Sequence, residues 1–102
     1  MRRLPVRFRE EAIADLIEIL DYLAAQGASE ATAMGFVGRI RRKCETIGGV
    51  PQAYPLRADL GSGIRLAPFE HSAVIAYRLE GGAVEIVNVF YGGRDYQALM
   101  LK

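Results

Sequence analysis

Few of the residues that usually build an active site are present in this chain. It has one cysteine, Cys44, and one histidine, His71. A lone cysteine forms no internal disulfide, and one Cys with one His cannot make a Cys/His zinc site. Cys44 falls on the apolar stripe of a predicted helix, where a buried, inert thiol is expected rather than a nucleophile, which would need a base partner. His71 falls in the turn sequence Phe69-Glu70-His71-Ser72 and reads as a solvated turn residue rather than a general base. No phosphate loop, dinucleotide fingerprint or metal-spaced histidine pair occurs. No apolar run approaches the roughly 20 residues of a spanning helix. The N-terminus MRRLPVRFRE has charge but no apolar segment behind it, so no signal peptide is expected and the cytoplasm is the expected compartment.

An excess of either charge is also missing. The net charge is +1, which does not fit a sequence-independent nucleic-acid binder. Lysine is nearly absent: of 13 basic residues only Lys43 and Lys102 are lysine. Arginine's planar fork suits bidentate contact with carboxylate, phosphate or backbone. A GC-rich coding sequence produces the same bias, so the arginines alone do not decide a function.

What remains is an ordinary globular composition, 51% hydrophobic and 25% charged over 102 residues. That length provides one core, so a single domain over 1–102 is expected. Residues 4–9, LPVRFR, alternate with Leu4, Val6 and Phe8 on one side, the pattern of a short strand. From Glu10 the period becomes helical. Ile13, Leu16, Ile17, Leu20 and Leu23 or Ala24 predict a helix over about 10–26, with Glu10, Asp15, Glu18 and Asp21 on the other side. Glu10 and Glu11 complement its dipole, and Gln26-Gly27 supplies a stop.

Ser29 is a good N-cap for a second helix over about 30–47. Its stripe is Ala33, Phe36 or Val37, Ile40, Cys44 and Ile47, and Gly48-Gly49 is expected to end it before Pro51. The short Gly27-Ala28 link predicts an antiparallel helical hairpin. A Gly- and Pro-rich connection spans 48–63. Three strands follow, at Ile64–Phe69, Ser72–Leu79 and Ala83–Tyr91, with Glu80-Gly81-Gly82 as a hairpin turn. The last of these is apolar on both sides apart from Glu85 and Asn88, so it is expected to be central. Residues 94–102 read as a short tail or helix. The expected fold is α+β, in the order β-α-α-β-β-β. The hairpin packs on one face of a mainly antiparallel sheet, and the opposite face is left open.

Candidate functional residues gather in the sheet. Arg65 is flanked by Ile64 and Leu66, and Arg78 by Tyr77 and Leu79. Phe90-Tyr91 leads into Gly92-Gly93-Arg94-Asp95-Tyr96, so Tyr91, Arg94, Asp95 and Tyr96 make a candidate polar-aromatic patch at the sheet's exit. The alternative is that Arg94-Asp95 caps the final turn while the tyrosines shield the sheet edge.

At these residues the chain resembles the RelE/ParE superfamily of type II toxins, nearest the ParE branch. VRFREEAIADLIEILDYLAAQ is similar to the ParE strand and acid-rich first helix. GIRLAPFEHSAVIAYRLEGGAVEIVNVFYGGRD is similar to its C-terminal sheet. The resemblance implies a toxin held silent by a cognate ParD-like antitoxin in a hetero-oligomer. It implies DNA gyrase as the target, inhibited by binding rather than by bond cleavage. No cofactor, metal, membrane or direct sequence-specific nucleic-acid contact is implied. The residues it carries over are Arg65, the Tyr77-Arg78 pair, and Arg94-Asp95. Tyr91 stands where many relatives have histidine, so a role for an imidazole does not transfer. The expected target-binding set is Arg65, Arg78, Tyr91, Arg94 and Tyr96, supported by Tyr77 and Asp95, with no catalytic residue. The antitoxin segment is expected to dock helix-in-groove beside the helices or by strand addition to the sheet.

Two alternatives remain. One is a RelE-like ribosome-dependent mRNA endonuclease; the other is a non-toxic interaction domain of the same fold. Cutting RNA without a metal needs cations around the phosphate and an acid/base group. From Arg57 to Lys102 the chain sets Arg57, Arg65, Arg78, Arg94 and Lys102 against Asp59, Glu70, Glu80, Glu85 and Asp95, which cancel. That balance favours the gyrase-directed reading.

Overall fold

A computed structural model of the chain describes residues 3–92 and 100. The order is β1 (Val6–Phe8), α1 (Glu10–Ala25), α2 (Glu30–Gly49), a 3-10 turn (Ala58–Leu60), β2 (Arg65–Phe69), β3 (Ala73–Glu80) and β4 (Ala83–Tyr91). The sheet order is β1-β4-β3-β2. β4, the most apolar strand, is central as its composition requires. β1 lies parallel to it, with Val6 opposite Val84, while β2–β3 and β3–β4 are antiparallel. The α+β fold with a helical hairpin on a mainly antiparallel sheet is as the sequence predicts.

Local chemistry accounts for the boundaries. Glu10 and Glu11 fill the first turn of α1. The Ser29 side chain caps α2 by accepting from the Thr32 N–H at 3.1 Å. In the β3–β4 hairpin Gly81 and Gly82 take φ of +57° and +77°, as its tight turn requires. The β2–β3 turn makes the same two-residue left-handed bend without glycine: Glu70 has φ +49° and His71 has φ +58°. His71 is exposed there, as a turn residue should be.

Three expectations are corrected. The first concerns the buried face of α1. The structure buries Ala12, Leu16 and Ile19 and leaves Ile13 and Ile17 48% and 53% exposed. Aliphatic residues span more than half the girth of this helix, so periodicity alone does not choose between adjacent faces. Asp15 is correspondingly not on the solvent side. Its Oδ2 accepts from the Val89 N–H at 2.8 Å and from Asn88 Nδ2 at 3.0 Å. β1 ends at Ile86 of β4, where the Arg9 N–H meets the Ile86 carbonyl. Immediately beyond, Val87 is an extra residue in the β3–β4 ladder. Asp15 therefore supplies an acceptor where the edge strand has run out.

The second correction is the end of α2. Gly48 and Gly49 do not stop the helix but form its last turn. The Leu4 N–H donates to the Gly48 carbonyl at 2.8 Å, and a Cβ on Gly48 would lie 2.6 Å from the Leu4 carbonyl oxygen. The glycine is there so that the strand can approach the helix.

The third is the sheet face away from the helices, which is not open. It carries a second apolar cluster of Leu60, Ile64, Leu66, Ala76, Val87 and Phe90, joined by Val74 and Met100. The main core lies on the other side, where Val37, Ile40, Cys44 and Ile47 of α2 meet Ile75, Tyr77, Val84, Ile86 and Val89. Each large buried aliphatic there contributes about 1.5–3 kcal/mol. Among the described residues no helix is long and apolar enough to cross a membrane.

Candidate functional site

Strand alternation sends the sheet's candidate residues in different directions. Arg65 and Tyr77 are register partners on β2 and β3, on the helix side of the sheet. Both hold the loop that follows α2. An Arg65 guanidinium N–H donates to the Tyr54 carbonyl, and the Tyr77 hydroxyl donates to the Pro51 carbonyl at 2.9 Å. Lys43 Nζ donates to the Tyr54 hydroxyl at 2.6 Å and lies 5.2 Å from its ring centroid. Tyr77 is fully buried, and that burial pushes its hydroxyl pKa above the usual value.

Arg78 faces the other way. Its Nε donates to Glu85 Oε1 at 2.8 Å, with Glu80 at 3.7 Å. Glu85 sits opposite Arg78 in the ladder, so the pair is set by register. Tyr91 is at the far end of the sheet, paired with Ala73. The structure thus joins Arg65 to Tyr77 and keeps both apart from Arg78 and Tyr91. Arg94, Asp95 and Tyr96 lie outside the described residues.

Around Tyr91 is an aromatic strip that sequence reading did not assemble. Phe69, Phe36, Tyr91 and Tyr22 meet edge to face in sequence, with centroids 5.9, 5.3 and 5.6 Å apart. The four rings come from β2, α2, β4 and α1, so only the tertiary fold brings them together. Arg39 lies 5.5 Å from the Phe36 centroid and makes a two-point contact with Glu70, at 2.8 and 3.1 Å. This contact holds the left-handed β2–β3 turn against α2. It keeps the Glu70 carboxyl below the usual carboxylate range and raises the Arg39 guanidinium. A cleft of about 260 Å³ adjoins the strip, between Asp15, Glu18 and Tyr22 of α1, Val89 and Tyr91 of β4, and Gly92 just beyond that strand.

The second surface is apolar. Ile13 and Ile17 of α1 and Met34 of α2, the last 58% exposed, line a groove of about 420 Å³ that continues to Phe8, Gly38 and Arg41. Arg41 extends over the Phe8 ring, 5.7 Å from its centroid. The available signal in the sequence was the surplus of aliphatic residues on α1, more than one buried face can use.

Cys44 is fully buried in the core, and burial pushes its thiol up to about 12, so it packs as a hydrophobe. Among the described residues no group of three or more His, Cys, Asp or Glu is placed to hold a metal ion. The geometry offers two surfaces, an aromatic strip flanked by Arg39 and an exposed apolar groove.

A chain of the chromosomal ParDE toxin–antitoxin system from P. aeruginosa superposes with a TM-score of 0.75 at 19% identity, covering 87% of this chain and 96% of that one. The solution structure of the conserved hypothetical protein HP0894 from Helicobacter pylori aligns with a TM-score of 0.43 at 12% identity, covering 89% and 97%. No curated protein matches the sequence. The family described as "ParE toxin of type II toxin-antitoxin system, parDE" matches residues 6–96. The chain belongs to the ParE toxin family of type II toxin–antitoxin systems.

Proposed function

We propose that this toxin inhibits DNA gyrase by binding it and is neutralised by a cognate ParD-like antitoxin. The observation that carries the reading is the disposition of the sheet arginines within a ParE-family fold. Arg78 is matched by Glu85 and Glu80, Arg57 by Asp59, and Arg65 by a backbone carbonyl. Among the described residues the sheet therefore lacks the surplus of cations that would gather round an RNA phosphodiester. A large protein target is instead engaged by a few aromatic and arginine anchors on a surface. Tyr91 is in such a setting, and Arg94 and Tyr96 follow it in sequence. Arg65 and Arg78 support the sheet that presents Tyr91.

The test uses purified components. Wild-type toxin is expected to inhibit gyrase supercoiling and to leave ribosome-bound mRNA intact in a translating extract. Arg94→Ala is expected to abolish gyrase and growth inhibition while leaving the melting temperature and antitoxin binding nearly unchanged. Cleavage of mRNA in the extract, lost in Tyr91→Phe, would establish the ribonuclease reading instead.

A further inference from the structure

Helices α1 and α2 leave an apolar surface that the chain itself does not cover. Ile13, Ile17 and Met34 are exposed and line one groove with Leu20, Gly38 and Arg41. Exposed aliphatic side chains gathered in one groove, rather than scattered, mark a contact surface. The charges at its ends say what kind of surface fits. Arg41 is the one charged residue among those lining the groove. It lies over the Phe8 ring and makes no ion pair among the described residues. At the opposite end Asp21 lies one turn beyond Ile17, and Glu30 one turn before Met34. Both acids are exposed, and neither makes an ion pair among the described residues. From Glu30 to Arg41 is about 16 Å along α2, so opposite signs stand at opposite ends.

Between those ends lie Gly35 and Gly38. Glycine is the poorest helix former after proline. At Gly38 a Cβ would meet nothing within 4 Å, and at Gly35 it would meet only the tip of Arg39, at 3.9 Å. No neighbour within the chain requires glycine at either place. At a two-fold axis a residue faces its own copy, and there a missing side chain lets two helices close.

We propose that the free toxin forms a two-fold homodimer through this groove, with the two α2 helices antiparallel and crossing at Gly35 and Gly38. Arg41 of each protomer then lies against Asp21 and Glu30 of the partner subunit, and Ile13, Ile17 and Met34 of both are covered. An isologous contact needs a self-complementary surface; a groove with one sign at both ends would repel its own copy. The antiparallel α2 pair also sets the two helix dipoles in opposition. Glu45, one turn past Arg41, falls beyond the start of the partner's α2 and leaves the pairing undisturbed. The inference rests on neither the gyrase nor the antitoxin reading.

Sedimentation equilibrium of the full-length chain alone tests it. The wild type should show twice the monomer mass and fall to the monomer on dilution. Arg41→Glu makes both ends acidic, and Asp21→Arg with Glu30→Arg makes both basic. Each variant should raise the dissociation constant of its own dimer at least about tenfold. An equimolar mixture of the two should form a one-to-one heterodimer at about wild-type strength, since every end then meets the opposite sign. Ile17→Glu should dissociate the dimer while its circular dichroism remains that of the folded chain. Leu56→Glu, exposed outside the groove, should leave the dimer intact. A wild type that stays monomeric up to its solubility limit would overturn the proposal. So would a dimer that Ile17→Glu and both charge variants leave unchanged, or charge variants that dissociate but form no heterodimer when mixed. A monomeric toxin whose binding of a ParD-type antitoxin is lost in Ile17→Glu would give the groove to that partner instead.

Discussion

Glu70 and His71 hold left-handed backbone without being glycine, and the contact that secures them is between Arg39 and Glu70. Both side chains are well exposed, so the pair alone contributes little in water; its effect is to fix a turn with an unfavourable backbone. Glu70's pKa is lowered in the folded state by its hydrogen bond to Arg39. A lowered carboxylate pKa stabilises above the unfolded value, and that stability is lost as pH falls through the depressed folded value. Glu70→Gln should therefore melt below wild type near neutral pH. The difference should vanish well below the ordinary carboxylate range, as followed by calorimetry across pH. A gap that persists in acid would mean that the turn is held by something other than this ion pair. The turn itself was legible in the sequence. The clamp was not, because Arg39 and Glu70 are 31 residues apart and no local pattern connects them.

At the scale of elements, two helices show the same ambiguity resolved differently. The buried stripe of α2 was readable because arginine and lysine occupy its other faces. On α1 the aliphatic residues cover adjacent faces, and the sheet selected Ala12, Leu16 and Ile19. Ile19→Ala should thus cost about 2–5 kcal/mol, while Ile17→Ala should stay within about 0.5 kcal/mol, both by denaturant titration. Similar losses at the two positions would refute the orientation of α1. The end of α2 gives a second check. Gly48→Ala brings a Cβ against the Leu4 carbonyl oxygen and should destabilise by about 1–3 kcal/mol, although alanine is the better helix former. A stabilised Gly48→Ala chain would rule out the close approach of β1.

Over the whole molecule, helices cover one sheet face, a second apolar cluster lies on the other, and charge is balanced rather than concentrated. A ParD-like antitoxin whose acidic residues met the exposed arginines of this chain would bind partly through charge. Its affinity should fall as salt rises, because the screening length shrinks from about 10 Å at 0.1 M to about 3 Å at 1 M. Part of the affinity should survive high salt if the exposed Ile13, Ile17 and Met34 also contribute apolar contact. Titrations at increasing sodium chloride would measure both parts; an affinity indifferent to salt would remove the arginines from the interface.

The sequence by itself determined the elements and their order. The change from a period of two to a helical period, the Ser29 cap, the Gly81-Gly82 turn and the apolar run of β4 are local signals, and each corresponds to a local free-energy preference. It also placed β4 at the centre, since a strand apolar on both sides needs cover on both. Only the tertiary structure decided which of several aliphatic faces on α1 is buried, and that Asp15 completes β4 where β1 ends. It also brought four rings from four elements into one strip, and gave Arg65 and Arg78 partners within the fold. Those outcomes depend on contacts between residues far apart in the chain, where the competing arrangements look alike to any one segment and packing selects among them.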